Sequence, residues 1–274
     1  MNHCLKGLAN PLAGVAILLT AALAAVPCEA SLADPLSAAA TINKGGRQRM
    51  LSQRIVKIYC QIGMNLSTNK SKALLDSSVK LFESQLLELN QHADKPDIKE
   101  LLAKEASVWS QFKNVISEPV SLDGAKKLMA LNEDLLQTAE QLTHALEKNA
   151  NIKSAHLVNL SGRQRMLSQR IAKFYMLGQW GVKDPAIAKG IEQAKTEFVN
   201  ALNELESSPL NTRQITNALI DAHIQWDHFL VALDEQQTQG TNTGSAMMAA
   251  FASEHLLEEM DKITSLYEES AAGQ

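Results

Sequence analysis

Arg49 and Arg165 stand in two copies of one ten-residue string, GRQRMLSQRI. A guanidinium offers planar, forked N–H donors that match a trigonal oxyanion, so a pair of them is a candidate anion site. Each arginine has a glycine about one turn before it, Gly46 and Gly162, and a glutamine about one turn after it, Gln53 and Gln169. The glycines permit close helix approach and the glutamines add amide donors. No Asp or Glu occurs within 42–63 or 158–179, while those windows carry five and four basic residues in a chain of net charge -4. Arg54 and Arg170 lie nearer the edge of the core-facing stripe and are secondary ligand candidates or ion-pair partners. Arg47 and Arg163 read as rim residues. The competing reading pairs the central arginines with carboxylates of neighbouring helices, Glu133 and Glu254 being the candidates.

The helices that carry these residues must face two partners. Residues 42–63 and 158–179 are identical at thirteen of twenty-two positions, with an offset of 116. On a helix at about 100° per residue, Leu51, Ile55, Ile58 and Ile62 form one apolar stripe. Nearly opposite, Ile42, Gly46, Arg49, Gln53, Val56 and Cys60 follow a 4-3-4-3-4 spacing, a coiled-coil seam. The second copy repeats both: Leu167, Ile171 and Phe174; then Val158, Gly162, Arg165, Gln169, Ala172 and Met176. One stripe belongs to the helix's own bundle. The other meets the matching helix of the other copy, or of a second chain in a homodimer. Two facing arginines at ~6 Å would repel by roughly 3 kcal/mol at an effective dielectric of about 20, which something must offset.

The repeat extends through the chain. Phe82, Leu86 and Leu89 align with Phe198, Leu202 and Leu205 at offset 116; Trp109 and Phe112 align with Trp226 and Phe229 at 117; Glu133 aligns with Glu254 at 121. Apolar residues recur at three and four, and Pro96, Pro119, Pro185, Pro209 and Gly240 punctuate. The predicted helices span about 35–67, 71–92, 97–117 and 122–149, then about 151–181, 184–206, 211–237 and 245–270. The fold class is all-α: two tandem up-down four-helix bundles forming a pseudo-twofold pair. The first module covers 34–149 and the second 150–272. A tight turn near Lys148 to Ile152 sets the bundles side by side; a continuous helix there would set them end to end. The tryptophans and phenylalanines read as core.

Composition narrows the function. With 274 residues, 45% hydrophobic, and only 13 glycines and 7 prolines, a loop-rich β fold is excluded. A net charge of -4 gives no reason to expect nucleic-acid binding. The apolar run Ala13 to Val26 after a weakly basic stretch reads as a signal peptide over 1–30, which places the protein in the periplasm. Of Cys4, Cys28 and Cys60, only Cys60 remains after processing, as a packing residue of the seam. The histidines (His3, His92, His144, His156, His223, His228 and His255) form no metal set, and no nucleophile–base constellation is legible. Neither an enzyme, a metal site nor a cofactor is expected.

The motif IN-x-x-G-R-Q-R-M-L-S-Q-R, strongest over Asn43–Tyr59 and Asn159–Tyr175, resembles the first helix of the PilJ-type sensor domain. That domain occurs in type IV pilus chemotaxis transducers and, in divergent form, in nitrate/nitrite sensor kinases. The resemblance implies a periplasmic four-helix bundle. It also implies a small anion, nitrate or nitrite, held between paired first helices by an arginine from each, here Arg49 and Arg165. Gly46 and Gly162 match the nearby glycine, and Arg54 and Arg170 the second arginine. The chain departs from the family in carrying two modules with no kinase, HAMP-like or methyl-accepting segment. A membrane-bound sensor or transport system is therefore the expected partner. The alternative is a protein-interaction module that docks a membrane receptor or a pilus/chemotaxis component without a small ligand.

Overall fold

The computed structural model describes residues 36–234 and 243–272, and every regular element among them is a helix. These are α1 (Ala38–Gly63), α2 (Thr68–His92), α3 (Pro96–Ser117), α4 (Leu122–Asn149), α5 (Ala155–Gln179), α6 (Pro185–Glu206), α7 (Arg213–Asp234) and α8 (Thr243–Ala272). The predicted signal peptide, with His3, Cys4 and Cys28, and Gly240 lie outside the described residues. No helix among the described residues is long and apolar enough to cross a membrane.

Local chemistry sets the helix ends. Ser37 and Ser121 cap α1 and α4 by accepting from Ala40 and Gly124 N–H, and Asp184 caps α6 by accepting from Ala186 N–H at 2.8 Å. Pro96 and Pro185 open α3 and α6, where a missing N–H does no harm. The first helix stops at Gly63 rather than near 67 because Asn65 and Ser67 turn left-handed, at φ 58° and 44°. The fifth begins at Ala155 rather than 151. Ala150 is extended and ends α4 although no proline or glycine stands there. His156 then fastens the turn, reaching Glu147 of α4 at 3.1 Å and Glu204 of α6 at 2.7 Å.

Within each repeat the helices contact one another in a closed ring: α1 with α2, α2 with α3, α3 with α4, and α4 with α1; α5 to α8 repeat this. The aromatic layers match. Phe82 stacks on Trp109 with centroids 3.9 Å apart, and Phe198 on Trp226 at 4.1 Å. Gln48 and Gln164 donate to the carbonyls of Phe82 and Phe198. The most extensive contact of all joins the repeats, α1 against α5, so the two seams meet within one chain and lie side by side. Every residue of both seams is buried.

Polar side chains enter the first core where the second has alanine. Ser78, Gln85 and Glu105 of the first repeat align with Ala194, Ala201 and Ala222 of the second. Glu105 is 0% exposed and neither carboxyl oxygen has a hydrogen-bond partner. Burial pushes its pKa up to about 8. The folded state therefore favours the protonated acid. Its contribution to stability is fully present below the ordinary carboxyl range near pH ~4.5 and is lost as pH rises through about 8. Glu105→Ala, which restores the residue of the second repeat, should raise stability at pH 8 and above and leave it little changed near pH 4. Urea denaturation of wild type and variant across that range checks this. A stability difference that is flat with pH would contradict it.

Candidate functional site

At the α1–α5 crossing glycine faces glycine. A β-carbon on Gly46 would lie 3.8 Å from the α-carbon of Gly162, 3.1 Å from Arg49 Nη2 and 3.5 Å from Arg165 Nη2. The missing side chains thus make room for two guanidinium groups beside one helix crossing. Arg49 and Arg165 are both 0% exposed. Matching residues stand level on the two helices, so α1 and α5 run parallel and the site has pseudo-twofold symmetry.

The donors of each arginine divide in the same way. Arg49 gives Nη1 to Glu140 at 2.8 Å, and Nη2 to Asn159, to Oδ1 at 2.7 Å and to the carbonyl at 3.2 Å. Arg165 gives Nη1 to Asp261 at 2.5 Å, and Nη2 to Asn43, to Oδ1 at 2.6 Å and to the carbonyl at 3.3 Å. Each asparagine amide donates onward, Asn159 to Glu147 and Asn43 to Glu268. The Nε–H of both arginines is buried with no acceptor. The carboxylates are shared: Glu140 also takes Arg163 at 2.6 Å, and Asp261 also takes Arg47 at 2.7 Å. Arg47 and Arg163 thus occupy the rim, and Arg163 reaches Glu197 as well.

Burial dominates the electrostatics. It pulls the Arg165 pKa down to about 10; Asp261 opposes this, and the neighbouring Arg47 and Arg49 reinforce it. Arg49 is lowered for the same reason, with Glu140 opposing and Arg163 adding. Burial alone would raise Glu140 and Asp261, but the two arginines beside each hold them below the usual carboxylate range.

Glu133 and Glu254 do not meet the central arginines. They lie seven residues before Glu140 and Asp261 on α4 and α8, two turns away. Each instead crosses to the other repeat. Glu133 accepts both Arg170 nitrogens, at 2.9 and 2.8 Å, and Lys173 at 3.0 Å. Glu254 takes Arg54 and Lys57. Arg54 and Arg170 are therefore cross-repeat clamps two layers away from the crossing. Glu254 is held down to about 2: burial opposes this, and Lys57 and Arg54 outweigh it. Lys173 falls to about 7 through burial, against the pull of Glu133. Gln53 and Gln169 do stand in the seam, but their amides donate elsewhere, to Ser52 Oγ and to the Ser253 carbonyl, both at 2.9 Å. Cys60 is wholly buried in the seam, and burial pushes its thiol up, so it is held as the unreactive thiol.

Sequence reasoning missed Asn43, Asn159, Glu140 and Asp261 as partners of the arginines. The repeat held the clue. The 116 offset pairs Asn43 with Asn159, and the 121 offset that pairs Glu133 with Glu254 also pairs Glu140 with Asp261 and Glu147 with Glu268. Among the described residues no group of three or more His, Cys, Asp or Glu side chains is placed to hold a metal.

Asn159→Ala removes an acceptor from a buried guanidinium and a donor from Glu147. It should destabilise the chain by about 1–3 kcal/mol, and Asn43→Ala by a similar amount. Chemical denaturation measures both. Losses under about 0.5 kcal/mol would mean that these amides do not hold the arginines.

The sequence matches the family model described as type IV pili methyl-accepting chemotaxis transducer N-term, PilJ, over residues 31–143 and again over 149–244. No curated protein and no solved structure matches it.

Proposed function

We propose, from the premise that this chain belongs to the PilJ family of type IV pili methyl-accepting chemotaxis transducer N-terminal domains, that it senses a small planar oxyanion at the α1–α5 seam. The family is one of signalling sensor modules that work with chemotaxis and pilus components, and its N-terminal domains are typically periplasmic. The finer reading is that Arg49 and Arg165 hold nitrate or nitrite between them. Gly46 and Gly162 allow the approach, Gln53 and Gln169 border the ligand, and occupancy is relayed to a membrane-bound sensor or transport system. The chain reaches the periplasm by the signal peptide over 1–30.

The observation that carries this is the pair of wholly buried guanidinium groups at one parallel crossing, each with an Nε–H that no protein group accepts. A buried donor without a partner is uncommon in a folded protein. Two like charges brought out of water gain most from an anion that touches both. Each carboxylate that touches them, Glu140 or Asp261, is also bound by a second arginine, so neither is given to one central guanidinium alone. An anion there would draw α1 and α5 together, and α4 and α8 with them through Glu140 and Asp261. That motion is the output a partner would read.

A second reading, a docking module with no small ligand, draws on α7. Ile220, Ile224 and Val231 are exposed along one stripe of that helix, where the first repeat has Ala103, Ser107 and Asn114.

Thermal unfolding against nitrate, nitrite, chloride, sulfate and phosphate at constant ionic strength separates the two. A ligand at a hundredfold its Kd stabilises by about 2.7 kcal/mol, a rise of roughly 5 °C or more for a chain of this size. Nitrate or nitrite should give that rise, and Arg49→Lys with Arg165→Lys should abolish it. No shift with any anion would favour docking and remove the oxyanion reading.

A further inference from the structure

The seam carries unpartnered acceptors as well as unpartnered donors. Gln53 Oε1 and Gln169 Oε1 are buried without a hydrogen-bond partner, one turn beyond Arg49 and Arg165. Both side chains are 0% exposed. Amide ends can be exchanged in principle, but here the neighbours fix them. The Ser52 hydroxyl donates to the Arg49 carbonyl at 2.7 Å, and Gln53 turns its NH2 toward the oxygen of that hydroxyl. Gln169 turns its NH2 to the Ser253 backbone carbonyl, which can only accept. Two unrelated constraints thus leave a carbonyl oxygen free on each side of the seam. Gln48 and Gln164 also carry unpartnered oxygens, but their amides reach α2 and α6, on the other face of the helices.

We infer that the seam selects a planar oxyanion carrying its own O–H or N–H donor, such as hydrogencarbonate, over a donor-free one such as nitrate. This rests on the oxyanion reading above and narrows it. The two Nε–H groups and the two glutamine oxygens make a set of two donors and two acceptors on neighbouring turns of the seam. Nitrate and acetate offer only acceptor oxygens. Either would satisfy the arginines and set its remaining lone pairs against the glutamine carbonyls. Hydrogencarbonate is trigonal and of similar size. Two of its oxygens accept from Arg49 and Arg165 while its hydroxyl donates to Gln53 or Gln169. A site built around polar groups rejects the analogue that leaves them unpaired more strongly than it rejects a change of size.

The test compares hydrogencarbonate, nitrate and acetate on the full chain at pH 8 and constant ionic strength, in a closed cell, by thermal shift and by calorimetric titration. Hydrogencarbonate should bind about tenfold more tightly than nitrate or acetate. In Gln53→Leu with Gln169→Leu that preference should vanish, through weaker hydrogencarbonate binding with nitrate affinity kept or improved. The comparison of the three anions on the unsubstituted chain needs no variant, so it stands even if the double substitution does not fold. Nitrate binding as tightly as hydrogencarbonate would overturn the donor requirement and leave the oxyanion reading intact. If none of the anions binds, both fall together, and the four polar atoms are bridged by buried water. Hydrogencarbonate binding whose preference survives the glutamine substitutions would place the selecting acceptor elsewhere and overturn the assignment to Gln53 and Gln169.

Discussion

Two arginine side chains that would repel one another are held wholly buried where α1 crosses α5. The rest of the structure is arranged around that fact. Gly46 and Gly162 leave the guanidinium groups uncrowded, since a β-carbon on either would sit 3.1 or 3.2 Å from the Nη2 of its own helix's arginine. Asn43 and Asn159 must reach across the crossing to accept from them, and Glu147 and Glu268 must orient those amides. Glu140 and Asp261 must come from the fourth helix of each repeat to supply negative charge. The cross-repeat clamps, Arg54 and Lys57 on Glu254, Arg170 and Lys173 on Glu133, lie further along the same two helices. They hold the repeats in register so that each arginine meets its partners.

Duplication within one chain has a physical consequence. A homodimeric site would form only as fast and as completely as the chains associate, whereas here α1 and α5 are tethered through α4 and meet at high effective concentration. The two halves are also free to diverge. Cys60 corresponds to Met176 and Val56 to Ala172 in the seam. Phe174 takes the place of Ile58, and Gly190 the place of Leu74; a β-carbon on Gly190 would come within 2.4 Å of the Phe174 ring. The Phe174 ring occupies the space that the missing Gly190 side chain leaves, a large residue on one helix matched by a small one on its neighbour. Glu105 is the exception, a carboxyl in one core where the other has alanine, with no compensating partner.

Much of this was legible in the sequence because the repeat supplies its own alignment. The periodicity placed eight helices, and the 4-3-4-3-4 spacing separated the seam from the core-facing stripe. Gly46, Arg49, Gly162 and Arg165 could be singled out because small and charged residues are out of place in a seam. Helix ends were less accessible. Asn65 and Ser67 stop α1 through left-handed backbone, and Ala150 stops α4 with no breaker at all. Partner choice was the least accessible, because a carboxylate's reach depends on the axial stagger of its helix. Glu133 and Glu140 lie on one face of α4 two turns apart, and only the packing decides which one meets Arg49 and which one meets Arg170 and Lys173.

The proposed receptor joins Arg49 and Arg165 through their unpartnered Nε–H groups. The arginine Nε–H resonances of the 15N-labelled chain report on this directly. Assigned by Arg49→Lys and Arg165→Lys and followed through an anion titration, the two signals should move together along a single binding curve. Those of exposed Arg213 and of the clamps Arg54 and Arg170 should stay in place. If both seam resonances remain still while exposed arginines respond, the anion binds only at the surface. The buried pair would then be a structural ion-pair network with no ligand.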